Sequence, residues 1–114
     1  MIGADELGDV SLNTYAWDWA EYILEMKRRI RENVHPPGAF TFLGLISGDT
    51  VLRFKVLPDG RVVDLEVVGF TGHSSLMETS VTAVERAGPF RALPADFPEE
   101  YLELVWTFSY VVRR

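Results

Sequence analysis

The chain of 114 residues contains no cysteine and only two histidines. The missing cysteines exclude disulfide bonds and thiolate metal sites, and they leave the redox compartment undetermined. Carboxylates are then the one plentiful type of metal ligand, but their spacing does not match a calcium-binding loop. Glycine-rich nucleotide motifs and a P-loop lysine are also missing. The sequence therefore predicts neither a metal site nor a cofactor.

Basic residues are scarce: eleven Lys and Arg face seventeen Asp and Glu, for a net charge of −6. Nucleic-acid binding needs a basic surface that displaces counterions, and anionic membrane surfaces also attract basic segments. No apolar run approaches the ~18 residues of a transmembrane helix, and no signal peptide is visible. The composition thus predicts no nucleic-acid partner and no docking on a membrane surface.

The strongest local signal that is present is a β-hairpin around Asp59-Gly60, because glycine accommodates the positive φ of a short turn. The flanking residues alternate between apolar and charged, which defines one register. That register places apolar pairs on one face: Leu52–Val67, Phe54–Leu65 and Val56–Val63. It places opposite charges on the other face: Arg53–Glu66 and Lys55–Asp64.

Amphipathic segments on either side of the hairpin predict two helices. The first begins near Trp17, where Asp18 and Glu21 have the spacing of a capping box, and it ends at a Pro-Pro-Gly sequence. The second covers about Ser75–Ala87, where Ser75 and Glu78 repeat that spacing and Gly-Pro follows. The loop over residues 39–48 is apolar, and we expect it to pack against the domain.

The last predicted element is a long one-sided strand over Tyr101–Val112. The element order α-β-β-α-β predicts an α+β fold with a three-stranded antiparallel sheet in the order 2-1-3 and both helices on one face. Residues 1–13 are expected to be a polar lead-in arm, and residues 14–114 one domain. The predicted core is Leu52, Phe54, Val56, Val63, Leu65, Val67, Leu104, Trp106, Phe108, Ile23, Met26, Ile30, Leu76, Val84 and Ala87.

The predicted order puts the last strand at a sheet edge, where strands normally carry some protection against further pairing. This strand has no proline and no lysine, and Glu103 is its only charge between Tyr101 and Val112. Two interpretations are open: the N-terminal arm or a second copy of the chain covers the edge, or the edge receives an extended peptide. The peptide-binding positions would be Glu103, Leu104, Val105, Trp106, Thr107, Phe108 and Ser109.

A catalytic interpretation has little support. His73-Ser74-Ser75 places a base beside a hydroxyl, but adjacent residues rarely face each other, and no orienting acid is evident. A serine-capped helix start explains the same residues. We therefore predict no catalytic residue and no small-molecule substrate. An enzyme that uses the region of residues 69–75 remains an alternative of a different class.

Several elements, in order along the chain, resemble the C-terminal domain of the TonB energy-transducer family. The resemblance spans nearly the whole sequence, and its ordered set is more specific than any single motif. The matching elements are Val10-Ser-Leu-Asn-Thr14, Met26-Lys-Arg-Arg-Ile30, Pro36-Pro37, Pro58-Asp59-Gly60 with Val63-Asp64, Gly72 with Leu76, Ala87-Gly-Pro-Phe90 with Leu93-Pro94, and Phe108-Ser-Tyr110.

The resemblance implies a periplasmic, non-enzymatic receptor-binding domain. In that family a flexible linker connects the domain to an inner-membrane anchor driven by a proton-powered motor complex, and this chain would be the isolated receptor-binding end. The domain would bind the TonB box of outer-membrane transporters by strand addition at residues 103–109. The similar C-terminal domain of TolA, an envelope-integrity protein, is an alternative. A structural domain that forms a homodimer through the last strand is another.

Overall fold

The computed structural model describes residues 2–12, 19–36, 38 and 47–112. Its elements are β1 (Ile2–Leu12), α1 (Ala20–Glu32), β2 (Gly48–Val56), β3 (Val62–Phe70), α2 (Ser74–Ala87) and β4 (Leu102–Val112). The described strands form one sheet in the order β1-β4-β2-β3, with antiparallel neighbours throughout. The α+β class is confirmed. The predicted count of three strands is wrong, because the sheet has four.

The additional strand is β1, which forms from the segment expected to be a lead-in arm. It pairs antiparallel with β4, from Ile2 opposite Val112 to Leu12 opposite Leu104. The polar character of the segment concealed this role, since a strand at a sheet edge can satisfy its backbone through one neighbour without being strongly apolar. The order of the three predicted strands relative to each other, β4-β2-β3, agrees with the prediction.

The hairpin has the predicted register in its centre only. Leu52 lies opposite Val67 and Arg53 opposite Glu66, but the pairing shifts on both sides of this centre. Val56 therefore lies opposite Val62 rather than Val63. Asp64 has a φ of 53°, in the left-handed region that Asp tolerates better than most residues, at the point where the register shifts.

Both helices begin at residues other than those predicted. The first residue of α1 is Ala20, and its N-cap Trp19 makes no side-chain capping hydrogen bond. Trp17 and Asp18 lie outside the described residues. The N-cap of α2 is His73, whose Nδ1 accepts a hydrogen bond from the Ser75 backbone N–H at 3.1 Å. The serine capping box predicted for this helix is therefore wrong, although the helix itself is present.

One hydrophobic core joins the helices to the sheet. Twelve of the predicted core residues are buried, and the exceptions are Val63, Leu65 and Val67 of β3. Val63 and Leu65 are half-buried, and Val67 is 39% exposed, because β3 is an edge strand that the helices only partly cover. The buried hydrophobic residues outside that core list are Tyr22, Ala83, Phe90, Leu93, Leu102 and Tyr110, of which Phe90 and Leu93 also lie outside the amphipathic patterns.

The connector between α2 and β4 is hydrogen-bonded to the hairpin turn. The Phe90 N–H donates to the Gly60 carbonyl at 2.8 Å, and the Leu93 N–H donates to the Pro58 carbonyl at 3.0 Å. The Tyr22 hydroxyl of α1 donates to the Arg91 carbonyl at 2.7 Å. The connector therefore links the hairpin to the first helix. Residues 39–46 of the loop that we expected to pack down lie outside the described part of the chain.

Candidate functional site

The candidate site is β4, whose side chains alternate strictly between the core and the open face of the sheet. Leu104, Trp106 and Phe108 are fully buried under the helices. Glu103, Val105, Thr107 and Ser109 are half-buried on the opposite face. All seven predicted site residues therefore lie on one continuous strand, as the period-two pattern indicated.

Aromatic packing holds the inner face of β4 against β2. The ring centroids of Phe54 and Trp106 are 6.3 Å apart with an interplanar angle of 17°, and those of Trp106 and Phe108 are 6.5 Å apart. Near the end of the strand, the hydroxyl groups of Tyr110 and Ser80 are hydrogen-bonded at 2.8 Å. These contacts join β4 to both β2 and α2, so the strand is closely packed into the domain.

The open face of the sheet carries a row of charges beside β4. Lys55 lies opposite Glu103, and its Nζ is 3.3 Å from an Asp64 carboxylate oxygen and 4.6 Å from the Tyr101 ring centroid. The hydrogen bond with Asp64 is the main cause that raises the pKa of Lys55 above its ordinary value, and Tyr101 adds to it. Arg53 pairs with Glu66. Both predicted cross-strand ion pairs are thus present.

The position of β4 in the sheet differs from the prediction. We expected an unpaired edge, but β4 lies between β2 and β1, with residues 104–107 opposite Leu12, Ser11, Val10 and Asp9. We call the side of β4 that faces β1 its outer edge. Of the two interpretations left open by the sequence, cover by the N-terminal arm matches the fold. A homodimer through the outer edge would require β1 to leave.

The strand β3 forms the opposite edge of the sheet, and it has features that disfavour pairing with a further strand, which β4 lacks. Its pairing with β2 shifts register at two points, and Asp64 and Glu66 project charges from it. Bulges and charges at an edge disfavour the addition of another strand. Three apolar side chains are nevertheless exposed on β3: Val67, Val68 and Phe70. The two sides of the sheet are therefore not equivalent as acceptors of a peptide strand.

The alternative site around residues 69–75 contains helix-capping contacts rather than a catalytic arrangement. Besides accepting the Ser75 N–H, His73 Nδ1 lies 2.7 Å from the Ser75 hydroxyl. Gly72 has a φ of +81°, and its backbone packs directly against the Ser47 carbonyl. Within the described ranges, no group of three or more His, Cys, Asp or Glu side chains is placed to hold a metal ion.

Comparison with known proteins places the chain in a family. Residues 45–111 match the family of Gram-negative bacterial TonB protein C-terminal domains, and the chain belongs to it. This family consists of non-enzymatic interaction domains of periplasmic energy transducers that take part in transport. No curated protein matches the sequence.

Two solved structures share the fold. A solution NMR structure of the Helicobacter pylori TonB C-terminal domain, residues 179–285, has a TM-score of 0.67 and 21% identity, and the match covers 82% of this chain and 83% of that one. A second one, residues 194–285, has a TM-score of 0.63 and 22% identity, with 82% and 96% covered. In the described part of this chain, no helix has the length and apolar character needed to cross a membrane.

Proposed function

We propose that this domain binds the TonB box of outer-membrane transporters in the periplasm and receives it as a strand on the outer edge of β4. The observation that carries the proposal is that this edge already holds a strand from a distant part of the chain, β1, in antiparallel pairing. An edge that pairs with β1 has the backbone geometry to pair with any extended segment. The contacts would come from Glu103, Leu104, Val105, Trp106, Thr107, Phe108 and Ser109.

The close packing of β4 supports this role. A strand that is already held in place by the rest of the domain is a better acceptor for a peptide strand. Binding then costs conformational entropy of the peptide but little of the domain. Stacking of Phe54 on Trp106 and the buried hydroxyl pair of Tyr110 and Ser80 provide that support. Backbone pairing tolerates different side chains, so one domain can serve several transporters.

Membership of the TonB family supports the partner class. The transporter would bind at β4, and an inner-membrane anchor outside the described residues would connect the domain to the motor complex. A role in envelope integrity, like that of the TolA C-terminal domain, is the second candidate, because the same outer edge of β4 would serve it. A purely structural oligomerisation domain is the third, and it would dimerise through β4.

The test is a titration of the isotope-labelled chain with synthetic peptides of about ten residues from the periplasmic N-terminal segments of outer-membrane transporters. We expect amide chemical-shift changes concentrated in residues 103–109 and in β1, with little change in β3. A scrambled peptide of the same composition is the control. Changes centred on β3 or on residues 69–75 would refute the proposed site. No binding by any transporter peptide would refute the proposed partner class and favour the other two candidates.

A further inference from the structure

The outer edge of β4 cannot accept a peptide strand while β1 is paired with it. Each residue of an interior strand directs its backbone hydrogen-bonding groups toward one neighbour or the other. The neighbours of β4 are β2 on one side and β1 on the other, along almost its whole length. If a peptide binds the outer edge, as proposed above, β1 has to leave it first.

β1 is poorly suited to hold this position. Its pairing with β4 is interrupted between Asp5 and Asp9, where residues 6–8 lie opposite the single residue Phe108. Its sequence also contains Gly3, Gly8 and three acidic residues, all of which disfavour a strand. β4, by contrast, has no glycine and one acidic residue among its eleven. The strand conformation of β1 is therefore less favoured by its sequence and pairing than that of β4.

The side chains that hold β1 in place are Val10 and Leu12. Both are half-buried and pack against the core, at positions opposite Trp106 and Leu104. Ser11 between them is exposed and lines a small open pocket together with Leu12, Arg53, Glu103 and Val105. The outer edge therefore takes aliphatic side chains at two alternate positions and a small polar side chain between them.

We propose that β1 is a built-in occupant of the peptide-binding edge, and that the transporter peptide replaces it in the same antiparallel register. The peptide would have aliphatic residues at the positions of Val10 and Leu12 and a small polar residue at the position of Ser11. This inference rests on the proposed function. Because only molecules with β1 released are competent to bind, the measured dissociation constant of the peptide equals the intrinsic one divided by the fraction of molecules in which β1 is released.

A reversible disulfide bond between β1 and β4 tests whether the peptide replaces β1. Ser11 and Val105 lie opposite each other, and the spacing of such pairs, about 4.5–5.5 Å between Cα atoms, falls within the range of a disulfide. Because the chain has no cysteine, the variant S11C/V105C forms a single defined bond between β1 and β4. The reduced form is the control for the effect of the two substitutions. The probe is a transporter peptide that binds the unmodified chain.

We expect the reduced variant to bind the peptide and the oxidised variant to bind at least about tenfold more weakly, a difference of about 1.4 kcal/mol. Equal binding by the two forms would overturn the inference and the placement of the peptide on the outer edge of β4. It would leave transporter-peptide binding itself intact, because the peptide would then add beside β1 or elsewhere. If no transporter peptide binds even the unmodified chain, the proposed function fails, and the inference fails with it.

A second pair of variants keeps the test decisive if the cysteine variant itself disturbs the site. Val10→Asn loosens β1, so it should tighten peptide binding, by up to about tenfold if β1 is almost always bound. Val68→Asn, which makes the same change at a residue on the opposite edge that is 55% exposed, should leave the affinity unchanged. Unchanged or weaker binding by Val10→Asn would contradict the replacement of β1.

Discussion

Phe54 and Arg53 are neighbours on β2 whose side chains lie on opposite faces of the sheet. Phe54 is fully buried against Trp106, whereas Arg53 forms an exposed ion pair with Glu66. Phe54→Ala should lower the free energy of unfolding by about 3–5 kcal/mol, through lost transfer energy and a residual cavity. Arg53→Ala should lower it by no more than about 1 kcal/mol. Urea unfolding measures both values, and similar midpoints for the two variants would contradict the assignment of the faces.

Tyr22 gives the domain a pH dependence in alkaline solution. Burial raises the pKa of Tyr22 from 10.0 to about 12, and its hydroxyl donates to the Arg91 carbonyl. The unfolded chain ionises near pH 10, whereas the folded chain keeps the neutral phenol. The contribution of Tyr22 to stability is therefore complete below pH 10 and is lost as the pH rises toward about 12.

Tyr22→Phe removes this titration and one hydrogen bond. At neutral pH the variant should be less stable by about 0.5–1.5 kcal/mol. Between pH 10 and 12 it should lose less stability than the unmodified chain. Denaturant unfolding at a series of pH values measures both effects. Parallel curves for the two proteins over that range would show that ionisation of Tyr22 is not coupled to folding.

Burial was predictable for single residues only where an element has a covered face. The alternation in β2 and β4 correctly identified residues such as Leu52 and Leu104 as buried. The same alternation failed in β3, because Val67 has the right phase but lies at an edge that the helices do not cover. Phe90 and Leu93 lie in a connector without any period, so no pattern marked them as core residues.

Among the elements, the hairpin turn shows how closely the connector packs. Gly60 has a φ of +92°, and a Cβ built on it would lie 2.0 Å from the Phe90 carbonyl oxygen. Gly60→Ala should therefore destabilise the domain by more than about 1 kcal/mol, because both the backbone strain and the clash must be relieved. Thermal or urea unfolding measures this loss.

Gly69→Ala is the matched control for this prediction. Gly69 is also a glycine of the hairpin, but a Cβ there has nothing within 4 Å and its φ is not in the left-handed region. The control should change stability by no more than about 1 kcal/mol, in the stabilising direction if it changes at all. Equal losses for the two variants would contradict the close packing of the connector on the turn.

The existence of the described helices and of three strands could be predicted from local patterns, but their ends and caps could not. Asp59-Gly60 and the alternation around it indicated the hairpin and its central register. The shift at Asp64 coincides with a left-handed backbone conformation there, which pairwise alternation does not encode. Likewise, His73 caps α2 because its backbone is extended there, whereas the spacing had favoured Ser75.

At the scale of the whole molecule, the order of the strands predicts two levels of stability. Among the described strands, β1 pairs with β4 alone and lies at the edge of the sheet, whereas β2 and β4 contribute much of the core. Native-state hydrogen exchange should show that β1 opens at a lower free energy than global unfolding. The amides of alternate residues in β4 should differ in protection. Amides hydrogen-bonded to β1 should exchange when β1 opens, whereas those hydrogen-bonded to β2 should exchange only when the whole domain unfolds. Uniform protection along β4 would contradict separate opening of β1.

The sequence by itself determined the amphipathic elements, the hairpin, the antiparallel order of β4, β2 and β3, and the resemblance to the TonB family. The elements and the hairpin depend on periodicity and turn chemistry, which act between residues close together in the chain. The strand order follows from the element order and the rules for connecting strands. Only the tertiary structure decided which segment occupies the outer edge of β4. That pairing joins the two ends of the chain through backbone hydrogen bonds. Val10 and Leu12 pack against the core, but these two aliphatic residues in a segment with two glycines and three acidic residues did not mark it as a strand.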